Sequence, residues 1–210
     1  MKNVKEYAPG AAIEGVSVQP MLSNAGYELI ISTYPWQYEK TEYTINNYEF
    51  FIRPIRPSDA DLLVDHFYSL SPKSIYLRFF SPVKKLSESM LIKLTQVDYD
   101  REIALVALMG KDREKKIVGV CRIILESDKI LGEFALAISD EWQGKGIGSS
   151  LLKQCLKAAQ TRGIKKVIGF VLHENIQMLK LGRKLGFSIN RAQVCGDYEL
   201  TIDFKDMNMD

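Results

Sequence analysis

Residues 143–149, Gln-Gly-Lys-Gly-Ile-Gly-Ser, carry the clearest chemical signal in the sequence. Closely spaced glycines let a ligand approach the backbone and tolerate positive φ angles. Apolar residues recur at helical spacing directly after this segment, and the first turn of a helix offers free N–H groups at the positive end of its macrodipole. We therefore predict that residues 143–149, the glycine loop, bind an anionic diphosphate.

Two elements must position the glycine loop. Residues 133–138, Glu-Phe-Ala-Leu-Ala-Ile, form a short apolar run that is typical of a buried strand. Residues 145–161 are predicted to form an amphipathic helix. Its apolar positions are Ile147, Leu151, Leu152, Cys155, Leu156 and Ala159. Such a crossover helix returns the chain at Lys165, where a second strand can run parallel to the first.

Other glycine-rich phosphate sites fit the loop less well. The dinucleotide fingerprint Gly-x-Gly-x-x-Gly has Ser149 in place of its third glycine, and no clear acidic partner ends a second strand at the expected distance. The nucleoside-triphosphate loop requires a lysine after its last glycine, and Lys145 lies on the wrong side. A glycine-rich connection without a ligand stays open as the structural alternative.

Two separated motifs resemble those of a known family. Gln143-x-x-Gly146-x-Gly148 after an apolar strand resembles the acetyl-CoA signature of the GNAT N-acetyltransferases. After a predicted strand at 167–172 and a further helix, residues 184–187, Lys-Leu-Gly-Phe, resemble the family's closing element. The resemblance implies an α/β (α+β) GNAT fold. In that fold a mixed central sheet of about six or seven strands is flanked by helices and splayed between its fourth and fifth strands.

The resemblance points to one subgroup. Residues 34–39, 52–57, 74–80 and 98–102 are similar to segments of bacterial protein lysine acetyltransferases. In those proteins the GNAT domain is commonly fused behind an acyl-CoA-synthetase-like, NDP-forming region, which this chain is too short to carry.

The subgroup implies a division of the chain into two parts. Residues 13–31 resemble a strand pair from the ATP-grasp part of the fusions. We therefore expect residues 1–47 to be an N-terminal extension, comprising an ATP-grasp remnant left by an internal deletion and a linker. Residues 48–210 are expected to form the GNAT acetyltransferase domain.

The implied activity is acetyl transfer from acetyl-CoA to an amine by direct attack on the thioester. A lysine ammonium has a pKa of about 10.4, so it must lose a proton before or during the attack. Glu133 lies ten residues before Gln143 and resembles the subgroup's glutamate base. The alternative is a hydrogen-bonded acid at a strand end, because the register could direct Glu133 to either face of the sheet.

The resemblance also assigns the groups that bind acetyl-CoA. The backbone N–H groups of Ala137 and Ile138 are expected to contact the pantetheine arm and the thioester carbonyl, where such donors stabilise an oxyanion. Asn175 resembles the family's helix-capping asparagine that contacts the cofactor, and an ordinary N-cap is its alternative role. The predicted diphosphate-binding residues are Gln143, Gly144, Lys145, Gly146, Ile147, Gly148 and Ser149.

One position departs from the family pattern. Many GNAT enzymes carry a tyrosine two residues before the closing Lys-x-Gly-Phe element, as proton donor to the leaving thiolate, and here that position holds Gly182. Water, or a residue such as Tyr76 or Tyr99, would then protonate the thiolate. Packing in the core or in a groove is the commoner role of such tyrosines.

Composition restricts the remaining classes of function. The formal net charge of +2 gives no strong field for nucleic acid or anionic lipid. The three cysteines are an odd number and suggest reduced thiols rather than a disulfide framework. The two histidines have no ligand-like neighbours, so we expect no metal. The sequence shows neither a signal peptide nor a membrane span, so we expect a soluble cytoplasmic protein.

The acceptor is the least determined part of the prediction. The resemblance favours a protein lysine, and an acyl-CoA synthetase is one candidate protein. A small-molecule amine and a protein N-terminus stay open within the same chemistry. A noncatalytic acyl-CoA-binding sensor is the alternative from another class. The oligomeric state is also open, and a homo-oligomer is compatible with the sequence.

Overall fold

An eight-stranded sheet organises the computed structural model, which describes residues 16–23, 26–111, 114–126, 130–193 and 195–205. A separate antiparallel hairpin precedes this sheet and consists of β1 (Val16–Ser23) and β2 (Gly26–Thr33). The remaining strands are β3 (Lys40–Tyr43), β4 (Glu49–Pro54), β5 (Glu102–Met109), β6 (Lys116–Leu125), β7 (Leu131–Ile138), β8 (Lys166–Val171), β9 (Ser188–Arg191) and β10 (Tyr198–Asp203). Their order in the sheet is β3-β4-β5-β6-β7-β8-β10-β9.

Within the residues that the structure describes, five α-helices cover the sheet. They are α1 (Ala60–Tyr68), α2 (Pro72–Phe79), α3 (Glu88–Thr95), α4 (Ile147–Thr161) and α5 (Ile176–Lys184). Serine caps begin two of these helices, because the Ser71 and Ser87 hydroxyls accept hydrogen bonds from Ser74 N and Met90 N. Short 3-10 helices occur at Trp36–Tyr38, Pro57–Asp59 and Asp140–Trp142.

The pairing of β7 with β8 determines where a ligand can enter the sheet. It is the single parallel pairing of the large sheet, and it joins Leu131, Gly132 and Glu133 to residues 166–168. Beyond Glu133 the two strands separate, although β7 stays paired with β6 up to Ile138. Counted from β4, the splayed strands are the fourth and fifth, so the predicted splay and fold class are confirmed.

Each face of the sheet has its own hydrophobic core. Alternate β7 residues such as Phe134 pack with α4 and α5, where Leu151, Leu152 and Cys155 are fully buried. On the other face, Ala104, Val106 and Val120 pack under α1 and α3. Because side chains alternate along a strand, Glu133, Ala135 and Ala137 lie on this second face.

Most predicted elements are confirmed, and the differences have local causes. The helix predicted from residue 145 begins at Ile147, because Gly146 is its N-cap and has a left-handed φ of 96°. The sheet has eight strands because β3, within the segment expected to be an extension, pairs with β4. Residues 13–15 and 24–25 of the predicted ATP-grasp strand pair lie outside the described residues, and the division of the chain at residue 47 stays a prediction.

Two further observations concern the cysteines and the helices. Cys121 and Cys155 are buried and Cys195 is exposed, and all three are free thiols. Within the described part of the chain, no helix is both long and apolar enough to cross a membrane.

Candidate active site

A cleft of about 750 Å³ opens where β7 separates from β8. One side is formed by α2, and the other by the glycine loop, the first turn of α4 and the length of α5. Four cationic residues line it, Lys73, Arg78, Lys180 and Lys184, against the two acids Asp140 and Glu174. A cleft with this excess of positive charge attracts a polyanionic ligand.

The glycine loop has the backbone geometry that a phosphate site requires. Gly144 and Gly146 have φ angles of 72° and 96°, which an L-residue adopts only with strain. The first hydrogen bond of α4 runs from Ser150 N to Gly146 O, so the N–H groups of residues 147–149 have no partner within the helix. These donors lie at the positive end of α4, beside the cleft, and suit the diphosphate of coenzyme A.

The start of the glycine loop is fixed by side-chain hydrogen bonds to neighbouring elements. The Gln143 amide nitrogen donates to Ile138 O and to Ser74 Oγ, each at 3.1 Å. Asp140 accepts hydrogen bonds from Ser71 N, Ser71 Oγ and Ser74 Oγ at 2.8 to 2.9 Å. Partial burial opposes ionisation, but these hydrogen bonds hold the pKa of Asp140 below its ordinary value. The loop is therefore tied to the N-terminus of α2.

A turn between β3 and β4 supports the same loop from the other side. Ile45 N donates to Lys145 O at 3.1 Å. The rings of Tyr48 and Trp142 pack edge to face with centroids 6.0 Å apart, and Lys145 Nζ lies 4.5 Å from the Trp142 ring centroid. This turn therefore takes part in shaping the site, although it lies in the segment that sequence analysis treated as an extension.

Eight of the ten predicted cofactor-binding residues line the cleft. These are Ala137, Ile138, Gln143, Gly144, Gly146, Gly148, Ser149 and Asn175. Ile147 instead places its side chain in the core at 0% exposure, and the Lys145 side chain lies on Trp142. Both can contribute backbone atoms to the loop, and the binding role of all ten residues stays a prediction.

Glu133 is exposed and occupies the last paired position before the splay. It lies opposite Ile124 of β6, on the same face as Ala137, and is not among the residues that line the cleft. Its charge acts on Arg78, which does line the cleft, and favours the protonated guanidinium. Glu133 is thus beside the entrance to the splay, on the face covered by α1 to α3.

Asn175 is an N-cap, as the sequence suggests, because its Oδ1 accepts from Met178 N at 3.1 Å. It also lines the cleft, so the capping role and a ligand contact are compatible. Further along α5, a Cβ at Gly182 would come within 2.5 Å of Leu200 Cδ2. A tyrosine at this position would therefore displace the core side chain of Leu200.

Neither of the two tyrosines considered as thiol acids lines the cleft. Tyr99 is buried and donates its hydroxyl to Ile55 O at 2.5 Å, and burial raises the pKa of Tyr99. Tyr76 is 40% exposed and does not line the cleft. Tyr99 is therefore not placed to protonate a thiolate there, and water and Tyr76 stay open as donors.

A glycine loop at a helix start, beside two strands that part, is the arrangement expected for the site of an acyl-coenzyme A-dependent transferase. Residues 73–187 match the family model described as "Acetyltransferase (GNAT) family". The chain belongs to this family and is an acetyl-CoA-dependent N-acetyltransferase.

Individual relatives agree with this assignment. The chain is 30% identical over 136 residues to Acetyltransferase PA5475 of Pseudomonas aeruginosa, covering 65% of this chain and 73% of that protein. It is 29% identical over 138 residues to Acetyltransferase Pat of Mycolicibacterium smegmatis, covering 65% of this chain and only 40% of Pat. The crystal structure of the GNAT domain of S. lividans PAT superposes with a TM-score of 0.75 at 27% identity, covering 81% of this chain and 99% of that domain.

Sequence reasoning missed the residues that hold the site in place. Ser71 and Ser74 are 69 and 66 residues from Asp140 along the chain, so no local pattern connects them. Arg78 lies within residues 74–80, which resemble the lysine acetyltransferases, but its position in the cleft wall depends on how α2 packs.

Proposed function

We propose that the protein transfers the acetyl group of acetyl-CoA to the ε-amino group of a protein lysine, with Glu133 as the base. The observation that carries this proposal is the position of Glu133 at the last paired residue before the splay. From there its carboxylate lies on the face of β7 that also carries Ala137, which lines the cleft. The lysine acceptor is supported by the resemblance of several segments to protein lysine acetyltransferases.

We assign different parts of the cleft to the diphosphate, the thioester and the other phosphates of the coenzyme. The glycine loop and the N–H groups at the start of α4 hold the diphosphate. The backbone of Ala137 and Ile138 lies in the cleft wall and orients the thioester. Because Ser139 N donates to Val118 O across the β6 ladder, the alternate Ile138 N–H points away from β6 and is the donor that stabilises negative charge on the carbonyl oxygen. The cationic lining of the cleft adds attraction for the coenzyme phosphates.

Glu133 takes one proton from the lysine ammonium, directly or through a water molecule, and passes it to solvent. The neutral amine nitrogen then forms a bond to the acetyl carbon, and the bond from that carbon to sulfur breaks. The second nitrogen proton is lost as the amide forms, and the thiolate leaves and is protonated by water because Gly182 supplies no acid. The products are acetyl-lysine and coenzyme A, with one proton released overall.

Thiol release from acetyl-CoA, measured with cell-extract proteins as acceptors, tests this function, and mass spectrometry locates the acetyl groups. Glu133→Gln should lower kcat at least tenfold while leaving the Kd for acetyl-CoA within about twofold, as expected for a lost general base. Glu141→Gln is the matched control, because Glu141 is exposed and does not line the cleft.

Three outcomes would count against the proposal. Tight acetyl-CoA binding without transfer to any acceptor would favour a noncatalytic sensor. Acetylation of small amines or protein N-termini, without acetylated lysines, would assign a different acceptor. Equal turnover of Glu133→Gln and Glu141→Gln across pH would remove Glu133 from the mechanism.

A further inference from the structure

Helices cover the sheet on both faces only in its first half. Every residue of β5 beyond Glu102 is buried, and so are all but two residues of β6, because helices pack on both sides of these strands. In β8, and in β10 from Glu199 onwards, burial alternates, so that one face is buried and the other is partly exposed. The strand residues that pack under α1 and α3 come from β4, β5 and β6. Beyond β7, this second face of the sheet is therefore accessible.

The strand register gives the residues of this accessible surface. Ile168 lies opposite Glu133 in the parallel ladder and opposite Thr201 of β10. Phe170 and Glu199 form the next pair on this face, on the side where β7 and β8 separate. We call Glu133, Ile168, Phe170, Glu199 and Thr201 the open face, and each of them is exposed or partly exposed.

An acceptor amine has to reach Glu133 over the open face. A general base must come within hydrogen-bond distance of the ammonium group that it deprotonates. On one side of Glu133 the helices α1, α2 and α3 cover this face of the sheet, and on the other side lie β8 and β10. A polypeptide that brings a lysine to Glu133 therefore lies across Ile168 and Phe170, which offer it apolar contacts. This step rests on the proposed function, in which Glu133 is the base.

The open face also carries a second acid, Glu199. Its cross-strand neighbours are Phe170 and Asn190, and neither of them is charged. Its Oε1 accepts a hydrogen bond from Thr201 Oγ1 at 3.0 Å, which holds the carboxylate on this face. The charge of Glu199 is thus not balanced across the strands, and it attracts a cationic group of a polypeptide that lies on the open face.

The spacing of the two acids suits a lysine that has a second cation close to it in sequence. Glu199 lies two strands away from Glu133 and two residues further along. At about 4.8 Å per strand and about 3.3 Å per residue, their Cα atoms are about 12 Å apart. Alternate residues of an extended peptide share a face and are about 7 Å apart. A long cationic side chain two residues from the target lysine covers the remaining distance to Glu199.

We infer that the open face docks the acceptor polypeptide and that Glu199 selects lysines with an arginine or a lysine two residues away. Glu133 keeps its role as base, and the bond changes are those of the proposed function. The acceptor is then a basic, extended segment of a protein rather than an acidic segment or a small amine.

Two peptides that differ only beside a single lysine test the inference. One has arginine two positions before and two positions after the lysine, and the other has glutamine at both places. With saturating acetyl-CoA, kcat/KM should be about two- to fivefold higher for the arginine peptide, the range expected for one solvent-accessible ion pair. This ratio should shrink at high ionic strength. In Glu199→Gln the ratio should fall toward one, while kcat/KM for the glutamine peptide and the Kd for acetyl-CoA change less than twofold.

Asp203→Asn is the matched control, because it removes the same charge from the same face of the same strand. Asp203 is two residues from Thr201, as Glu199 is, but Lys166 lies directly opposite Asp203 and offsets its charge. The ratio of kcat/KM for the two peptides should therefore keep its wild-type value in this variant.

Other results would overturn the inference. Equal kcat/KM for the two peptides in the wild type, or the same change of the ratio in both variants, would mean that Glu199 does not select the acceptor. A dimer in sedimentation velocity that Phe170→Asp dissociates would assign the open face to a second copy of the chain. Acetylated lysines in cell-extract proteins without enriched neighbouring cations would also count against the inference alone. Absence of acetyl-lysine in the peptides and in the extract would instead contradict the proposed function itself.

Discussion

The ring of Phe134 occupies the space that a side chain at Gly169 would need. A Cβ on Gly169 would lie 2.2 Å from Phe134 Cε1. Phe134 is the first residue of β7 beyond the parallel ladder with β8, and its ring also packs against Phe187 with centroids 5.2 Å apart. The ring thus lies over Gly169 of β8, on the face of the sheet covered by α4 and α5, next to the point where the two strands part.

Substitution of Gly169 by alanine should therefore disturb the core beneath the cleft. The added methyl group must displace the Phe134 ring, so we expect a loss of about 1 to 3 kcal/mol in the free energy of unfolding. Urea denaturation measures this loss. In the double variant Gly169→Ala/Phe134→Leu, the smaller side chain makes room, and the combined loss should be less than the sum of the two single losses. Strict additivity would show that the two residues do not compete for space.

Gly146→Ala should weaken both folding and coenzyme binding. The backbone φ of 96° costs an L-residue about 1 to 2 kcal/mol, and relief of this strain would move the loop N–H groups away from the diphosphate. Chemical denaturation and acetyl-CoA titration measure the two effects. Gly148→Ala is the control for folding, because its Cβ would make ordinary contacts of 3.4 to 3.7 Å inside a helix. That variant should be at least as stable as the wild type.

The hydrogen bond from Ile45 to Lys145 predicts that the turn before β4 affects coenzyme affinity. Ile45→Pro removes the N–H donor and should raise the Kd for acetyl-CoA about two- to tenfold, the effect of one hydrogen bond. Ile45→Ala keeps the donor, and since the Ile45 side chain is 75% exposed, its affinity should match the wild type. Equal affinities of the two variants would mean that the turn does not support the loop.

The sequence predicted the parts of the site whose signals are local. The glycine loop, the apolar strand β7 and the cap at Asn175 each depend on residues within a few positions of one another. The interactions that fix the loop could not be predicted, because Ser74 and Ile45 meet it only through tertiary packing. The strand β3 was missed because it has four residues and no buried position, so it carries no alternating pattern.

The burial of Arg122 was missed for a related reason. Arg122 follows a run of apolar residues in β6, and the sequence alone suggests an isolated charge at the surface. Its burial follows from the covering helix α3, whose Leu94 carbonyl accepts its Nη1 donor. Only the packed structure shows that Arg78 of α2 and Arg122 of β6 line the same small cavity, of about 40 Å³.

His66 lies where α1 meets the loop after β7. Its Nδ1 is 3.0 Å from Ser139 Oγ, which is 2.8 Å from Ser69 Oγ. Both His66 and Ser139 are 4% exposed. Burial lowers the pKa of His66 from 6.5 to about 4, with the Ile117 backbone opposing this shift, so the folded protein holds the imidazole neutral at pH 7.

The lower pKa of His66 in the folded than in the unfolded protein predicts that the free energy of unfolding falls in mild acid. The imidazole takes up a proton near pH 6.5 in the unfolded protein and only near pH 4 in the folded protein. The stabilisation that comes from this pKa difference is therefore complete above pH 6.5 and is lost as the pH falls toward 4. The loss amounts to about 3 kcal/mol. Urea denaturation of the wild type and His66→Asn between pH 4 and 7.5 measures it. The variant should be less stable at pH 7 and lose less stability on acidification, because carboxylates contribute equally to both proteins. Parallel curves for the two proteins would show that His66 takes up its proton as readily in the folded state as in the unfolded state.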